Sequence, residues 1–206
     1  MKRRYFIDTH KGATFLFVLL LMAVYRQWEN PTAWIYLGLH GSYGLLWVLK
    51  SRTFPDQRWE QSTSLWFGLL IWAGLSLYWI APWIITSLDI HASAWLLGLC
   101  VGVFAFGVFM HFTSDMQKYV ALHMQPEHLV QDGLWHRLRN PNYFGELLIY
   151  LSFALLALHW LPLLVLGLWV GVVWLPLMIL KDRSLSRYAD FSTYKKRSKL
   201  FIPYLF

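Results

Sequence analysis

Six apolar runs, near Gly12–Arg26, Pro31–Lys50, Ser62–Trp83, Ala92–Phe112, Tyr143–Leu158 and Leu161–Leu180, take up most of this 206-residue chain. They are very roughly 17–22 residues long, the first and fifth being the shortest, which is what a hydrocarbon core of about 30 Å asks of a helix. Only His159 and Trp160 part the last two, which predicts a tight helical hairpin. With 57% of residues hydrophobic and 14% charged, the membrane class precedes any soluble one. Thirteen Trp and eleven Tyr suit it, because both rings favour the lipid–water boundary.

The formal charge of +7 would fit a nucleic-acid binder, so the positions of the cations decide. Lys2, Arg3, Arg4 and Lys11 precede the first run, and Lys50, Arg52 and Arg58 lie between the second and third. Lys118, Arg137 and Arg139 follow the fourth, and a string from Lys181 to Lys199 follows the sixth, leaving Arg26 alone on the other side. This alternation predicts an all-α integral membrane bundle of about six spans, both termini cytoplasmic, with no nucleic-acid partner. The basic start resembles a signal peptide but lacks a small-residue cleavage site, so the first run reads as a retained span. Residues 1–206 form a single membrane domain, and 113–206 is its expected cofactor-binding half.

The lone Cys100 lies in an apolar run, so no disulfide framework is expected within the chain. The histidines show no metal-ligand spacing on one helix, so no metal site is expected. There is no repeat, linker or low-complexity tract. The longest polar stretch, Ser114–Asn140, exceeds a simple hairpin connection and is expected to be functional or partly helical. It shares its predicted side of the membrane with the tail after Lys181.

Within DGLWHRLRNPNYFGE, Asn140 before Pro141 is biased away from helical backbone, while Pro141 suits a first helical turn. Asn142 and Glu146 then fall one turn apart on one face, and Gly145 permits a close approach. An intramembrane carboxylate is a functional suspect. In HFTSDMQK, Asp115 and Lys118 are three apart and either form a solvated ion pair or meet a ligand's hydroxyl and phosphate. Arg183, Arg187 and the Lys195–Lys199 run either anchor the chain at an anionic membrane face or fork onto phosphate. In HGSYGLLWVLK, His40, Tyr43 and Trp47 share a helix face beside Gly38, Gly41 and Gly44. That face either packs tightly or lines a substrate cavity in which Tyr43, oriented by His40, donates a proton.

Four segments together resemble one superfamily, that of the steroid 5α-reductases, sterol C14-reductases and isoprenylcysteine methyltransferases. RNPNYFGE resembles its RxPNYxGE signature, DGLW its lead-in, HFTSDMQK its preceding SD and QK elements, and YKKRSKLFIPYLF the reductase tail. HGSYGLLWVLK is similar to the bacterial branch of 5α-reductase-like proteins. The resemblance implies that Asp115 contacts a cofactor, that Asn142, Tyr143 and Glu146 hold its ribose or nicotinamide part, and that Tyr194, Lys195 and Arg197 close over its phosphates. Lys118, Arg137, Arg139, Arg183 and Arg187 join them on charge. The methyltransferase branch generally carries His where this chain has Asn140, and a later Glu pair where it has Asp182, Arg183 and Arg187. Arginines favour NADPH over S-adenosylmethionine.

The expected function is therefore NADPH-dependent reduction of a C=C bond in a lipophilic substrate entering from the bilayer. S-adenosylmethionine-dependent methyl transfer to a lipid is the alternative, and a non-enzymatic lipid-binding protein the third reading. The short chain with one cysteine leans towards a bacterial inner membrane, the cofactor site facing the cytoplasm.

Overall fold

A computed structural model describes residues Met1–Leu205, and among these every regular element is helical, with two isolated β-bridges beside them. Four stretches are long and apolar enough to cross a membrane: Arg3–Val24, Leu65–Ser87, Ala94–Met124 and Trp160–Leu185. They are compatible with a multi-pass integral membrane protein. Large apolar side chains such as Leu16, Leu45, Trp66, Phe106 and Val172 are exposed along the helices, as lipid-facing residues would be. The other two expected spans are helical but stand out less. The second, α2 (Pro31–Thr53), carries His40, Lys50 and Arg52, and the fifth, α6 (Pro141–Leu156), has 16 residues, about 24 Å of helix.

The chain divides into two compact units. Unit 1, Met1–Phe104 with Tyr150–Leu166, is built around α1 (Arg3–Val24), which packs along α2, α3 (Leu65–Ser76) and α4 (Ile80–Ser87). The first helix starts at Arg3, well before the expected Gly12. Its leading N–H groups find carbonyls elsewhere: Arg3 N donates to Gln61 O at 3.1 Å and Arg4 N to Trp59 O at 3.0 Å. Glu60 then pairs with Lys2 at 2.7 Å and Arg4 at 2.8 Å, so the helix can open among charged residues. Lys11, expected as a flank, is consequently buried inside α1.

The start of α2 follows from Asn30-Pro31. The Asn30 side chain accepts from Thr32 N (2.9 Å) and Ala33 N (3.2 Å), while Pro31 fills the first helical position without needing a donor. Between α3 and α4 the helix tightens into a 3-10 turn over Leu77–Trp79. Pro82 has no N–H for the Tyr78 carbonyl, which accounts for the break.

Unit 2 comprises Ala105–Ile149 and Gly167–Phe206, of which all but Phe206, the end of the IPYLF tail, is described. It contains the second half of α5 (Ala94–Met124), the start of α6, and α8 (Leu175–Leu185) and α9 (Phe191–Arg197). α5 continues to Met124, so about two fifths of the 114–140 stretch is helix, and a 3-10 turn, Gly133–Trp135, interrupts the loop that follows. The hairpin after α6 is present, within unit 1: Leu158 takes φ +47°, and His159 Nδ1 accepts from Leu161 N at 3.1 Å where α7 (Trp160–Trp169) begins. α7 joins α8 through a π-helical segment, Val170–Trp174, which ends two residues before Pro176, whose nitrogen cannot donate to the Val172 carbonyl.

Candidate functional site

The polar face of α5 in unit 2 presents His111, Ser114, Asp115 and Lys118 at helical spacing. The first three are buried, at 2%, 0% and 4% exposure, while Lys118 is a quarter exposed. Asp115 lies 3.9 Å from both His111 Nε2 and Lys118 Nζ, separations of ion pairing rather than hydrogen bonding. The expected Asp115–Lys118 pair therefore exists. The start of α6 supplies Asn142, Tyr143 and Glu146, all half-buried. Its backbone meets α5 closely, because Asn142 O pairs with His111 Nδ1 at 3.1 Å.

Gly145 explains that approach. A Cβ there would collide with the His111 backbone and come within 2.7 Å of Gly107 O, and one at Gly107 would come within 2.8 Å of Gly145 O. The close approach that Gly145 permits is thus one of backbone to backbone. It holds Asn142 against the His111–Asp115 face.

The loop after α5 is clasped by the tail. Trp135 Nε1 donates to Ser114 O at 3.1 Å, Arg139 N to Lys199 O at 2.9 Å, and Lys199 N to Arg137 O at 2.8 Å. Arg139 and Asp182 are both buried at 7% exposure, the guanidinium Nε lying 3.1 and 3.0 Å from the two carboxylate oxygens. Arg139 Nη1 donates to Ser198 O at 2.7 Å. Tyr194, 1% exposed, donates its hydroxyl to Trp135 O at 2.5 Å, with Leu138 O at 3.2 Å. Burial pushes the Tyr194 phenol well above its ordinary range, since a phenolate there would lose water and face carbonyl oxygens. Lys181 Nζ donates to Arg139 O and Asn140 Oδ1, each at 2.9 Å.

These contacts sort the expected cofactor residues. Asp115, Lys118, Asn142, Tyr143 and Glu146 occupy the facing stretches of α5 and α6. Arg139 and Tyr194, expected to touch phosphate, instead have internal partners that join tail to loop. Arg137, Arg183, Arg187, Lys195 and Arg197 are exposed. Of these, Arg187 rests on Tyr188 and Ser184, Arg197 donates to Gln131 Oε1 at 2.9 Å, and Lys195 lies 3.8 Å from Asp182.

Tyr43, the expected proton donor, and His40, expected to orient it, belong to unit 1. Both are buried, His40 Nδ1 pairs with the Tyr36 hydroxyl at 2.8 Å, and its ring stacks on Phe153 at 4.3 Å. Tyr43 lies beneath the Lys11 ammonium, 4.2 Å from its ring centre. Neither lines the apolar cavity of unit 1, which is bounded by Leu77, Tyr78, Tyr150, Phe153, Pro162 and Leu166 among others. The expectation missed Lys11 and Tyr150, whose signal was a lysine eight residues into a helix that was started too late.

A nucleotide cofactor can be tested against one local fact. The Asn142 side-chain oxygen is buried and has no hydrogen-bond partner, an arrangement that favours a ligand donor such as a ribose hydroxyl or a carboxamide. The exposed cations of the tail supply the positive field that phosphates need. Among the described residues no cluster of three His, Cys, Asp or Glu side chains could hold a metal.

No curated protein matches the chain. A family model described as "Protein of unknown function (DUF1295)" matches residues 1–201, essentially the full length, and the chain accordingly belongs to the DUF1295 family.

Proposed function

We propose that this protein is a membrane-embedded, NADPH-dependent reductase of a C=C bond in a lipophilic substrate. The observation that carries the reading is the buried, unpartnered acceptor of Asn142 set against the His111–Asp115 face. Its family's kinship with steroid 5α-reductase-like proteins supports it. In this reading Asn142 and Asp115 accept hydrogen bonds from the cofactor's ribose or carboxamide, Glu146 flanks them, and Lys118, Arg137, Arg183 and Arg187 face its phosphates. The cofactor supplies the hydride, and the protein supplies orientation, a dry setting and fixed charge. Six spans with both termini in the cytoplasm, in a bacterial inner membrane, complete the proposal, α2 and α6 being the two less apolar spans.

Thermal unfolding with NADPH, NADH and S-adenosylmethionine tests it, because a ligand that binds only the native state must raise apparent stability. NADPH should stabilise the protein, and Asn142→Leu should weaken that effect by about tenfold in affinity through loss of a ligand hydrogen bond. Stabilisation by S-adenosylmethionine alone would replace the reductase with the methyltransferase. No response to any of the three would leave a lipid-binding protein.

A further inference from the structure

The second turn of α1 carries a carboxylate that is only half satisfied. Asp8 Oδ2 accepts from the Ser51 hydroxyl at 2.7 Å, whereas Oδ1 is buried and has no hydrogen-bond partner. A buried acceptor without a donor is costly, and a ligand that brings one relieves the cost. Asp8 lines a pocket together with Arg4, Ser51, Pro55, Trp59 and Glu60, all of unit 1. They come from the start of α1, the last turn of α2 and the loop that follows.

The charges of this pocket are ordered along α1. Arg4 and Asp8 stand one helical turn apart, which sets their Cβ atoms about 5–6 Å from each other. Arg4 gives Nη1 to Glu60 at 2.8 Å and rests over the Tyr5 ring, but a guanidinium has five N–H donors, and this side chain is 26% exposed. It can therefore receive an anion while Asp8 Oδ1 receives a donor. A phosphate and an ammonium joined by two carbons hold their charges at a similar spacing. The lining sets three carboxylates, Asp8, Asp56 and Glu60, against two cations, Arg4 and Lys50, which disfavours a net anion but not a zwitterion. A trimethylammonium would satisfy the charge yet has no N–H for Asp8.

The surroundings suit a ligand with acyl chains. At this end of α1 and α2, apolar helix gives way to Lys2, Arg3, Lys50 and Arg52. Large apolar side chains there are exposed, Leu49 at 58%, Leu65 at 62% and Trp66 at 71%. The last two are held beside the chain start, because Thr63 N donates to Met1 O at 2.8 Å.

We propose that this pocket binds the headgroup of a phospholipid bearing a primary ammonium, its phosphate on Arg4 and its ammonium donating to Asp8 Oδ1. The proposal concerns binding alone and does not draw on the reductase reading.

The full chain in detergent is titrated calorimetrically with dioctanoyl phosphatidylethanolamine, phosphatidylcholine and phosphatidylglycerol. The ethanolamine lipid should bind at least about tenfold more tightly than the choline lipid, which cannot donate, and than the glycerol lipid, which brings a net negative charge. Asp8→Asn, which keeps an acceptor for Ser51, should weaken the ethanolamine lipid by at least about tenfold and leave the choline lipid unchanged. Arg4→Gln should weaken both lipids by a similar factor. The comparison of lipids on the wild type needs no variant, so it decides the matter even if Asp8→Asn does not fold. Glycerophosphoethanolamine, which has no chains, separates a lipid from a soluble phosphate ester: it should bind weakly, and affinity equal to the lipid's would overturn the lipid assignment. Equal affinity for the ethanolamine and choline lipids, a preference for the glycerol lipid, or undiminished ethanolamine-lipid binding by Asp8→Asn would overturn the proposal.

Discussion

Replacing Arg139 by Ala should open the tail of unit 2 without unfolding the helices that carry it. The Arg139–Asp182 pair is buried on both sides, with Nε between two carboxylate oxygens and Nη1 on the Ser198 carbonyl. Removing the guanidinium strands a buried carboxylate, which typically costs about 3–5 kcal/mol. The Lys195 ammonium, 3.8 Å from Asp182 and largely exposed, can swing in and recover some of this, so the lower end, about 3 kcal/mol, is expected. At about 1.4 kcal/mol per tenfold, the open population of the tail should rise roughly 100-fold. Trypsin reads it directly, because Lys195, Lys196, Arg197 and Lys199 all lie in the clasped segment, and cleavage of a transiently open segment tracks its population when closing is fast. Asp182→Asn should act in the same direction. The double change Arg139→Met/Asp182→Leu should cost less than the sum of the single changes, because neither partner is then left charged and buried. Unchanged cleavage rates, or strict additivity, would refute the assignment of this pair as the clasp.

Tyr194→Phe should destabilise by about 1–2 kcal/mol near neutral pH through loss of the donor to the Trp135 carbonyl, as measured by thermal unfolding. The folded phenol holds its proton above the ordinary value of about 10, so its contribution is complete below pH 10 and falls as pH rises past it; the gap between wild type and variant should narrow in that alkaline window. Gly145→Val should cost at least about 3 kcal/mol, because its side chain meets His111 backbone rather than a side chain that can turn aside; normal unfolding temperature would contradict the close helix contact. The Lys2 hydrogen bond, followed by Arg4, holds the Glu60 carboxyl below its usual range, so its contribution is present above about pH 4.3 and lost as pH falls through the lower folded value. Since Glu60 is partly exposed, Glu60→Gln should cost no more than about 1 kcal/mol above that pH, with little difference from wild type at pH 2.

How far the sequence could be read depended on the range of each determinant. Asn30-Pro31 and Asn140-Pro141 mark helix starts that local backbone preferences dictate, and both helices begin at the proline. The overall helical membrane character follows from apolar run length, and it was legible for the same reason. The start of α1 was not, because it depends on carbonyls at Trp59 and Gln61, distant in sequence. Misplacing that start turned Lys11 from a buried residue into a flank. Helical spacing put Asn142 and Glu146 on one face, whereas Asp115 was joined to them only through the family resemblance; the contact of His111 with the Asn142 carbonyl brings the two segments together. Arg139 looked like a phosphate ligand because charge alone cannot reveal a buried partner 43 residues away.

The π-helical segment at Val170–Trp174 has a consequence for the permitted lengths of this chain. A π turn holds one residue more than an α turn, so each residue after it sits about 100° behind the position it would take in an unbroken α-helix of the same length. Asp182, in the helix that follows, reaches Arg139 only at that phase. Closing the wide turn into α-helix at unchanged length would swing the carboxylate away from its arginine, whereas deleting one residue as the turn closes would leave Asp182 in phase. The wide turn thus acts as a spacer in angle rather than in distance, and a relative one residue shorter between Gly167 and Asp182 would keep the same clasp with an uninterrupted helix.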